Sequence, residues 1–286
     1  MTAVASVLWA GGRLRDPREP VVAGTDPGYA TGLGLFETCA VSGGRAFALT
    51  RHLARLAASS AALGLPAVAD HAVREAVAAV LAAGGDEVGR LRITVSPGAP
   101  GPDGDAEADP VLVVTAAPAP ARGPAHVVRS AWVRNERSPL AGHKSTSYAA
   151  DVLALAAATH AGGNEALLAN TRGALCEGAT SNVLVERGGE LLTPAQSSGC
   201  LPGVTRALAL EWAAGAGLPV REAAGDELPW SVVADARAGA AGLALAGSLR
   251  GVEGVVAVEG TPTAVGPVTA ELARLFRARA ADDLDP

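Results

Sequence analysis

Aromatic residues, sulfur and lysine are all scarce in this chain. Aromatics make up 3% of its 286 residues and methionine occurs once, so the core has to be built from the Ala, Val and Leu that dominate a 49% hydrophobic composition. The three cysteines, Cys39, Cys176 and Cys200, are odd in number and form no Cys-x-x-Cys pair. Reduced thiols fit this pattern better than a disulfide framework. No apolar run approaches the ~18 residues of a membrane span. Met1 is followed by no basic segment leading into an apolar one, so cytoplasmic residence is expected. Positive charge is not in excess: the net charge is −6, which gives no reason to expect nucleic acid or an anionic membrane surface as a partner. The 23 basic residues are almost all arginine. No metal site is expected.

What is present alternates short strands with helices. Residues 4–9 read as a strand closed by a Gly11-Gly12 turn, and 36–41 with 45–49 as a hairpin around Gly43-Gly44. Thr50 is the expected N-cap of a helix over 51–63, and Asp70 that of a second helix with Val73, Val77, Val80 and Leu81 inward. Segments 91–95 and 111–115 read as paired strands joined by a Gly-, Pro- and Asp-rich loop over 96–110. Residues 116–124 carry prolines and no apolar periodicity, the composition of a linker. Beyond it, strands are expected at 127–133, 165–170, 182–186, 242–246 and 255–258. Helices are expected at 147–159, with Val152, Leu155 and Thr159 on one stripe, at 204–214 and at 268–278. The implied division is a small N-terminal α/β domain over 1–118, a linker over 119–125 and a larger C-terminal domain over 126–286, with no internal repeat.

Three segments carry chemistry. Lys144 lies in Gly142-His143-Lys144-Ser145-Thr146-Ser147-Tyr148, Glu177 in Cys176-Glu177-Gly178-Ala179-Thr180-Ser181-Asn182, and Gly203-Val204-Thr205-Arg206 opens a helix. Singly, these read as a surface lysine, a charge in a turn and an ordinary helix start. Together they supply an amine for a Schiff base, an acid for a pyridine nitrogen and an anion cradle at a helix N-terminus. Arginine cannot replace a Schiff-base lysine, because a guanidinium is neither nucleophilic nor deprotonated at neutral pH. Gly247-Ser248, after a predicted strand, can close the cradle, and Arg55 in His52-Leu53-Ala54-Arg55-Leu56 can supply the countercharge.

In this order, with Gly32-Leu33-Gly34-Leu35-Phe36-Glu37-Thr38, Leu192-Thr193-Pro194 and Ser198-Gly199-Cys200-Leu201-Pro202-Gly203 around them, these motifs resemble the class IV aminotransferases, the fold-type IV pyridoxal-phosphate enzymes. The resemblance runs from about residue 7 to about residue 276. It implies a two-domain α/β (α+β) fold: a small N-terminal α/β domain, a larger C-terminal pseudo-barrel domain and pyridoxal 5′-phosphate between them. It also implies a homodimer acting on small amino and keto acids. Lys144 then matches the Schiff-base lysine and proton carrier, Glu177 the acid on the pyridine nitrogen, and Arg55 the phosphate arginine. Val204, Thr205, Gly247 and Ser248 match the phosphate contacts, Tyr148 the 3′-oxygen partner, and Ser181 and Asn182 further cofactor-binding positions. Phe36 and Thr38 fall where the substrate pocket lies.

Lyases and D-amino acid transaminases of this family carry an Arg-Gly pattern after the strand at 91–95, where this chain reads Ser96-Pro97-Gly98-Ala99-Pro100-Gly101. Arg92 and Arg250 are therefore the expected carboxylate partners in the pocket, with Arg134 and Arg137 also available. The reaction expected is transamination between an amino acid, with D-amino acids and (R)-amines favoured, and a 2-keto acid. Aminodeoxychorismate lyase is the first alternative and branched-chain L-amino acid transamination the second. A non-catalytic protein of the same fold is the reading from another class, and the intact Lys144, Glu177 and Arg55 argue against it.

Overall fold

The computed structural model describes residues 7–100, 109–225 and 227–286, so the start of the strand expected at 4–9 and most of the 96–110 loop lie outside the described residues. Contacts divide the chain into two compact units. The first comprises Met1–Ala121 together with His143–Tyr148 and Leu284–Pro286, and the second comprises Arg122–Gly142 and Ala149–Asp283.

The first unit is built from strands β1 (Val7–Ala10) and β2 (Arg13–Arg15), the short helix α1 (Pro27–Ala30), β3 (Leu35–Ser42), β4 (Arg45–Ala46), helices α2 (Leu49–Ala62) and α3 (Asp70–Gly84), β5 (Arg90–Ser96) and β6 (Val111–Ala117). Among the described residues its sheet runs β2-β1-β6-β5-β3-β4. Gly11-Gly12 and Gly43-Gly44 have positive φ, as the two tight hairpins require. Alternation decides which face is which. Leu35 and Cys39 on β3 join Leu91, Ile93 and Val95 on β5 in the core, under Leu53 and Leu56 of α2 and Val73, Val77 and Val80 of α3. Phe36 and Thr38 point to the opposite face, where Thr38 lies across from Arg92 and Phe36 across from Thr94.

The second unit contains β7 (Ala125–Arg134), α4 (Ala149–His160), β8 (Glu165–Asn170), β9 (Leu175–Gly178), β10 (Asn182–Arg187), β11 (Glu190–Thr193), α5 (Val204–Gly215), β12 (Val220–Glu222), α6 (Val232–Arg237), β13 (Gly242–Gly247), β14 (Gly251–Val258), β15 (Thr261–Pro262) and α7 (Pro267–Asp282). Its strands follow the order β12-β11-β10-β13-β14-β7-β8-β9, with β15 beside β14. The pairings β7–β8, β7–β14 and β11–β12 are parallel and the others antiparallel. Its main core is almost wholly Val, Leu and Ala, from Val127 and Leu167 to Leu245 and Val255.

Three local expectations change, the first being that Asp70 is the opening residue of α3 and not its cap, a position held by Ala69 with no side-chain capping bond. Thr50 does not cap α2; Ala48 holds the cap position in the left-handed region at φ 52°, and the Thr50 N–H and hydroxyl both donate to Asp285, at 2.8 and 2.6 Å. The inward stripe of α4 is Asp151, Ala154 and Ala158, while Val152 and Leu153 are 57% and 60% exposed. That inward face packs Ala154 and Ala158 with Ala166, Leu168 and Ala179, and carries Asp151, which Arg134 on β7 holds at 2.6 Å.

Candidate active site

Lys144 is the only lysine in the chain. Its segment is added to the start of β3: Phe36 N–H donates to Lys144 O at 2.9 Å, Thr146 N–H to Gly34 O at 2.8 Å, and Leu35 bridges Ser145. This addition explains the Gly-x-Gly spacing. A Cβ on Gly34 would lie 2.9 Å from both Thr146 Oγ1 and Val95 O, and one on Gly32, which has φ +72°, would lie 2.7 Å from Ser147 Oγ. The Lys144 Nζ lies 4.5 Å from the Phe36 ring centre and 5.6 Å from that of Tyr148, and the two rings meet edge-on at 5.2 Å. The guanidinium of Arg92 stacks on the same Phe36 ring at 3.9 Å and donates from Nε to Thr94 Oγ1 at 3.2 Å. Burial, and then the like charge of Arg90, lowers its pKa from the usual arginine value. The structure thus brings Lys144, Tyr148, Phe36, Arg92 and Thr38 to one face of the first unit.

Arg55 is held from the other face of β3. Glu37 points into the core with 1% of its side chain exposed. It accepts from Arg55 Nε at 2.8 Å and Arg55 Nη2 at 2.5 Å, and lies 2.7 Å from His52 Nδ1. Burial pushes this carboxyl's pKa up, but Arg55 and His52 together outweigh burial and hold it at about 2. One turn beyond Arg55, Ser59 meets the Nδ1 of His143, the neighbour of Lys144, at 3.1 Å. Helix α2 therefore touches both the phosphate-arginine candidate and the lysine segment.

In the second unit Glu177 sits on β9 and is almost fully buried. Its Oε2 accepts from the backbone N–H of Leu201 at 2.9 Å, and its Oε1 lies 3.1 Å from Arg134 Nη2, which also holds Asp151. Burial opposes the Arg134 charge, but Glu177 and Asp151 outweigh it and raise the pKa of Arg134. Asn182 donates to Leu201 O at 2.9 Å, so two side chains grip the turn that leads into α5. Among the described residues no side chain caps α5, and a Cβ on Gly203 at its cap would fall 1.9 Å from Asn182 Oδ1. Val204 and Thr205, both buried, form the first turn. Such a start presents backbone N–H groups and the positive helix end to an anion. Gly247 packs against Thr180 O and the Ser181 side chain, at 3.5 and 3.6 Å from where its Cβ would stand, with Ser248 next in the turn. Buried Glu165 fixes that wall by accepting from Thr180 Oγ1 at 2.6 Å and Ser181 Oγ at 2.8 Å. Ser181, Asn182, Val204, Thr205, Gly247 and Ser248 are thus assembled in one unit.

Arg250 is placed differently from the other candidates. Its side chain is 3% exposed, its Nη1 pairs with Glu253 at 2.8 Å, and its Nη2 donates to Asn164 Oδ1 at 3.2 Å. Arg134 is likewise taken up by Asp151 and Glu177. The roles of Glu37, His52, Glu165 and Asp151 escape the motif reading. The signal for Glu37 was a charge at a core-facing position of an alternating strand, which has to find a partner. The three cysteines are free and buried, and burial raises the thiol pKa of each, to about 11 for Cys200.

A two-unit α/β fold with one lysine on an added strand, a buried acid beside an arginine and an uncapped helix start defines the fold-type IV pyridoxal-phosphate enzymes. The class IV aminotransferase family matches residues 34–258, and the chain belongs to that family. Over 92 residues it is 40% identical to a probable branched-chain-amino-acid aminotransferase of Synechocystis sp., a match covering 32% of this chain and 30% of that protein. Over 223 residues it is 30% identical to a bifunctional aminodeoxychorismate lyase / D-amino acid transaminase of Mycobacterium tuberculosis, covering 70% of this chain and 75% of that one. The PLP-bound form of a hypothetical aminotransferase from Mycobacterium tuberculosis superposes with a TM-score of 0.83 at 25% identity, covering 97% of this chain and all of that one. The family's cofactor is pyridoxal phosphate, and the residues described above suit it: a lysine among aromatic rings, a buried carboxylate and an uncapped helix start.

Proposed function

We propose that this protein moves amino groups between an amino acid and a 2-keto acid, with D-amino acids as the preferred donors and (R)-amines as further candidates. The carrying observation is the stack in which Lys144 and Arg92 share the Phe36 ring, at 4.5 and 3.9 Å. It sets a nucleophilic amine beside one guanidinium suited to a single substrate carboxylate. Pyridoxal phosphate, when bound, supplies the aldehyde that accepts the amino group and the ring that draws electrons from the substrate Cα. In this reading Lys144 holds the cofactor and then carries a proton on Nζ. Glu177 faces the pyridine nitrogen, and Arg134, itself anchored by Asp151, holds Glu177 in place. Val204, Thr205, Gly247, Ser248 and Arg55 bind the phosphate, Ser181 and Asn182 support its cradle, and Tyr148 orients the 3′-oxygen. Arg92, with Thr38 across the strand pair, binds the substrate acid group. Arg250, committed to Glu253 and Asn164, supports the turn that carries Ser248.

The test is direct. With D-alanine and 2-oxoglutarate the pure protein is expected to form pyruvate and glutamate, and Lys144→Ala to lose at least about 10³-fold in rate. Borohydride reduction of the holoprotein should label Lys144 alone. Turnover of L-leucine but not D-alanine would move the donor to the branched-chain class. The bifunctional relative supports aminodeoxychorismate lyase as the second reading, and release of 4-aminobenzoate with no glutamate formed would put it first.

The same reading makes the protein a cytoplasmic homodimer. Among the described residues no helix is long and apolar enough to cross a membrane. Trp132 and Val133 at the end of β7 are exposed, as are Val152 and Leu153 on α4, which packs on β7. A second copy covering these side chains would remove an apolar patch from water. Val152→Glu is expected to yield monomers in sedimentation velocity; an unchanged dimer would place the interface elsewhere.

A further inference from the structure

The strand residue Glu37 lies one position from the proposed substrate residue Phe36, yet it faces the opposite side of β3, into the apolar core. An unpaired carboxylate there would be costly. It is matched by three bonds that converge on its two oxygens: Arg55 Nε to Oε1, Arg55 Nη2 to Oε2, and His52 Nδ1 against Oε2. The Arg55 pair is bidentate, so it fixes the plane of the guanidinium as well as its position. His52 and Arg55 are one turn apart on α2, so a single carboxylate also pins the rotation of that helix over β3.

A guanidinium on a long flexible stem loses much rotamer freedom when it binds a phosphate. One already held by a buried carboxylate does not. We propose that Glu37 is the positioning residue for the phosphate arginine, with His52 as its second anchor, and that the pair selects cofactors carrying a phosphate. Glu37 touches neither substrate nor the reacting atoms. The inference rests on the assignment of Arg55 to the cofactor phosphate. A carboxylate beside Arg55 also offsets its charge, and taken alone that would weaken phosphate binding. The balance between orientation and neutralisation is therefore what an experiment must read.

The full-length chain, stripped of cofactor, is titrated with pyridoxal phosphate and separately with pyridoxal, which lacks the phosphate, and thermal melting of each apo-variant is followed in parallel. Glu37→Gln is expected to weaken pyridoxal phosphate binding about 10- to 100-fold and to leave pyridoxal binding within about twofold. In an Arg55→Lys background the same change should add less than about threefold, because an ammonium needs no planar orienter. Equal losses for both ligands would show a merely structural role, and unchanged or tighter pyridoxal phosphate binding would show that neutralisation dominates; either result overturns the inference. If Glu37→Gln does not fold, His52→Asn provides the second test. It should weaken pyridoxal phosphate binding about threefold with pyridoxal unaffected, and no change, or equal loss for both, counts against the inference. Arg55→Ala separates the two levels: a wild-type preference for the phosphorylated ligand in that variant removes the Arg55 assignment itself. A lost preference in Arg55→Ala with a normal one in Glu37→Gln removes only the role of Glu37.

Discussion

Each unit sets a part-buried arginine against one or two buried carboxylates, and the two arrangements run in opposite senses. In the first, Glu37 occupies a core-facing strand position and gives both oxygens to Arg55 and His52, so under the proposed function the carboxylate would be the support and the arginine the working group. In the second, Arg134 is shared between Asp151 and Glu177, so under the proposed function the arginine would be the support and the carboxylate the working group. Charge follows the same logic. Glu37 with Arg55 sums to zero before His52 is counted, and Asp151, Arg134 and Glu177 sum to one negative charge. A phosphate calls for a neutral-to-positive partner and a protonated pyridine nitrogen for a negative one. Under the proposed function the two clusters would therefore do opposite work, one presenting a cation and the other an anion.

Breaking the second cluster should have the largest effect. Arg134→Leu leaves Asp151 and Glu177 buried side by side and is expected to cost about 4 kcal/mol, read by urea denaturation. Adding Asp151→Asn removes half of that mismatch and should restore part of the loss. A double variant no more stable than Arg134→Leu would show that the cluster does not work as a unit.

The first cluster is best tested by acid. Its folded carboxyl titrates at about 2 against an ordinary value of 4.5, a lowered pKa, so the stability it contributes is complete above pH 4.5 and is lost as pH falls toward 2. On the order of 3 kcal/mol should disappear across that window. Glu37→Gln should flatten this acid limb; an acid limb as steep as the parent's would assign it to other carboxylates.

The smallest effect expected is at the start of α2. Asp285 supplies from a distant part of the chain the cap that Ala48 lacks, accepting from the Thr50 N–H and hydroxyl. Asp285→Ala should cost about 1 kcal/mol in thermal unfolding, and since His52 and Arg55 lie on the same helix it should also weaken phosphate-dependent cofactor binding slightly. No change in either would confine the cap to local fraying.

Much of this was legible in the sequence. The hairpins at Gly11-Gly12 and Gly43-Gly44 and the Val- and Leu-rich strands carry local signals, and the structure has them within a few residues. Lys144, Glu177 and the Gly203-Val204-Thr205 turn stand out because their chemistry is tied to residue type. The Arg92 stack was less visible, since nothing in Leu91-Arg92-Ile93 says which ring the guanidinium will meet. The rotation of α4 ran against the expected stripe: Val152 and Leu153 are exposed, while Asp151, paired with Arg134, and the small residues Ala154 and Ala158 face inward. Arg250 looked available in the sequence and is tied up by Glu253 and by Asn164, which is 86 positions away.

The sequence by itself determined the cofactor class and the family, because a lone lysine, a spaced glutamate and a glycine before a helix are set by residue identity and order. Tertiary structure alone decided which carboxylate each arginine meets. That choice depends on which carboxylates the strands and helices bring within about 3 Å, a distance over which charge-assisted bonds form and beyond which one arginine in a sequence resembles any other.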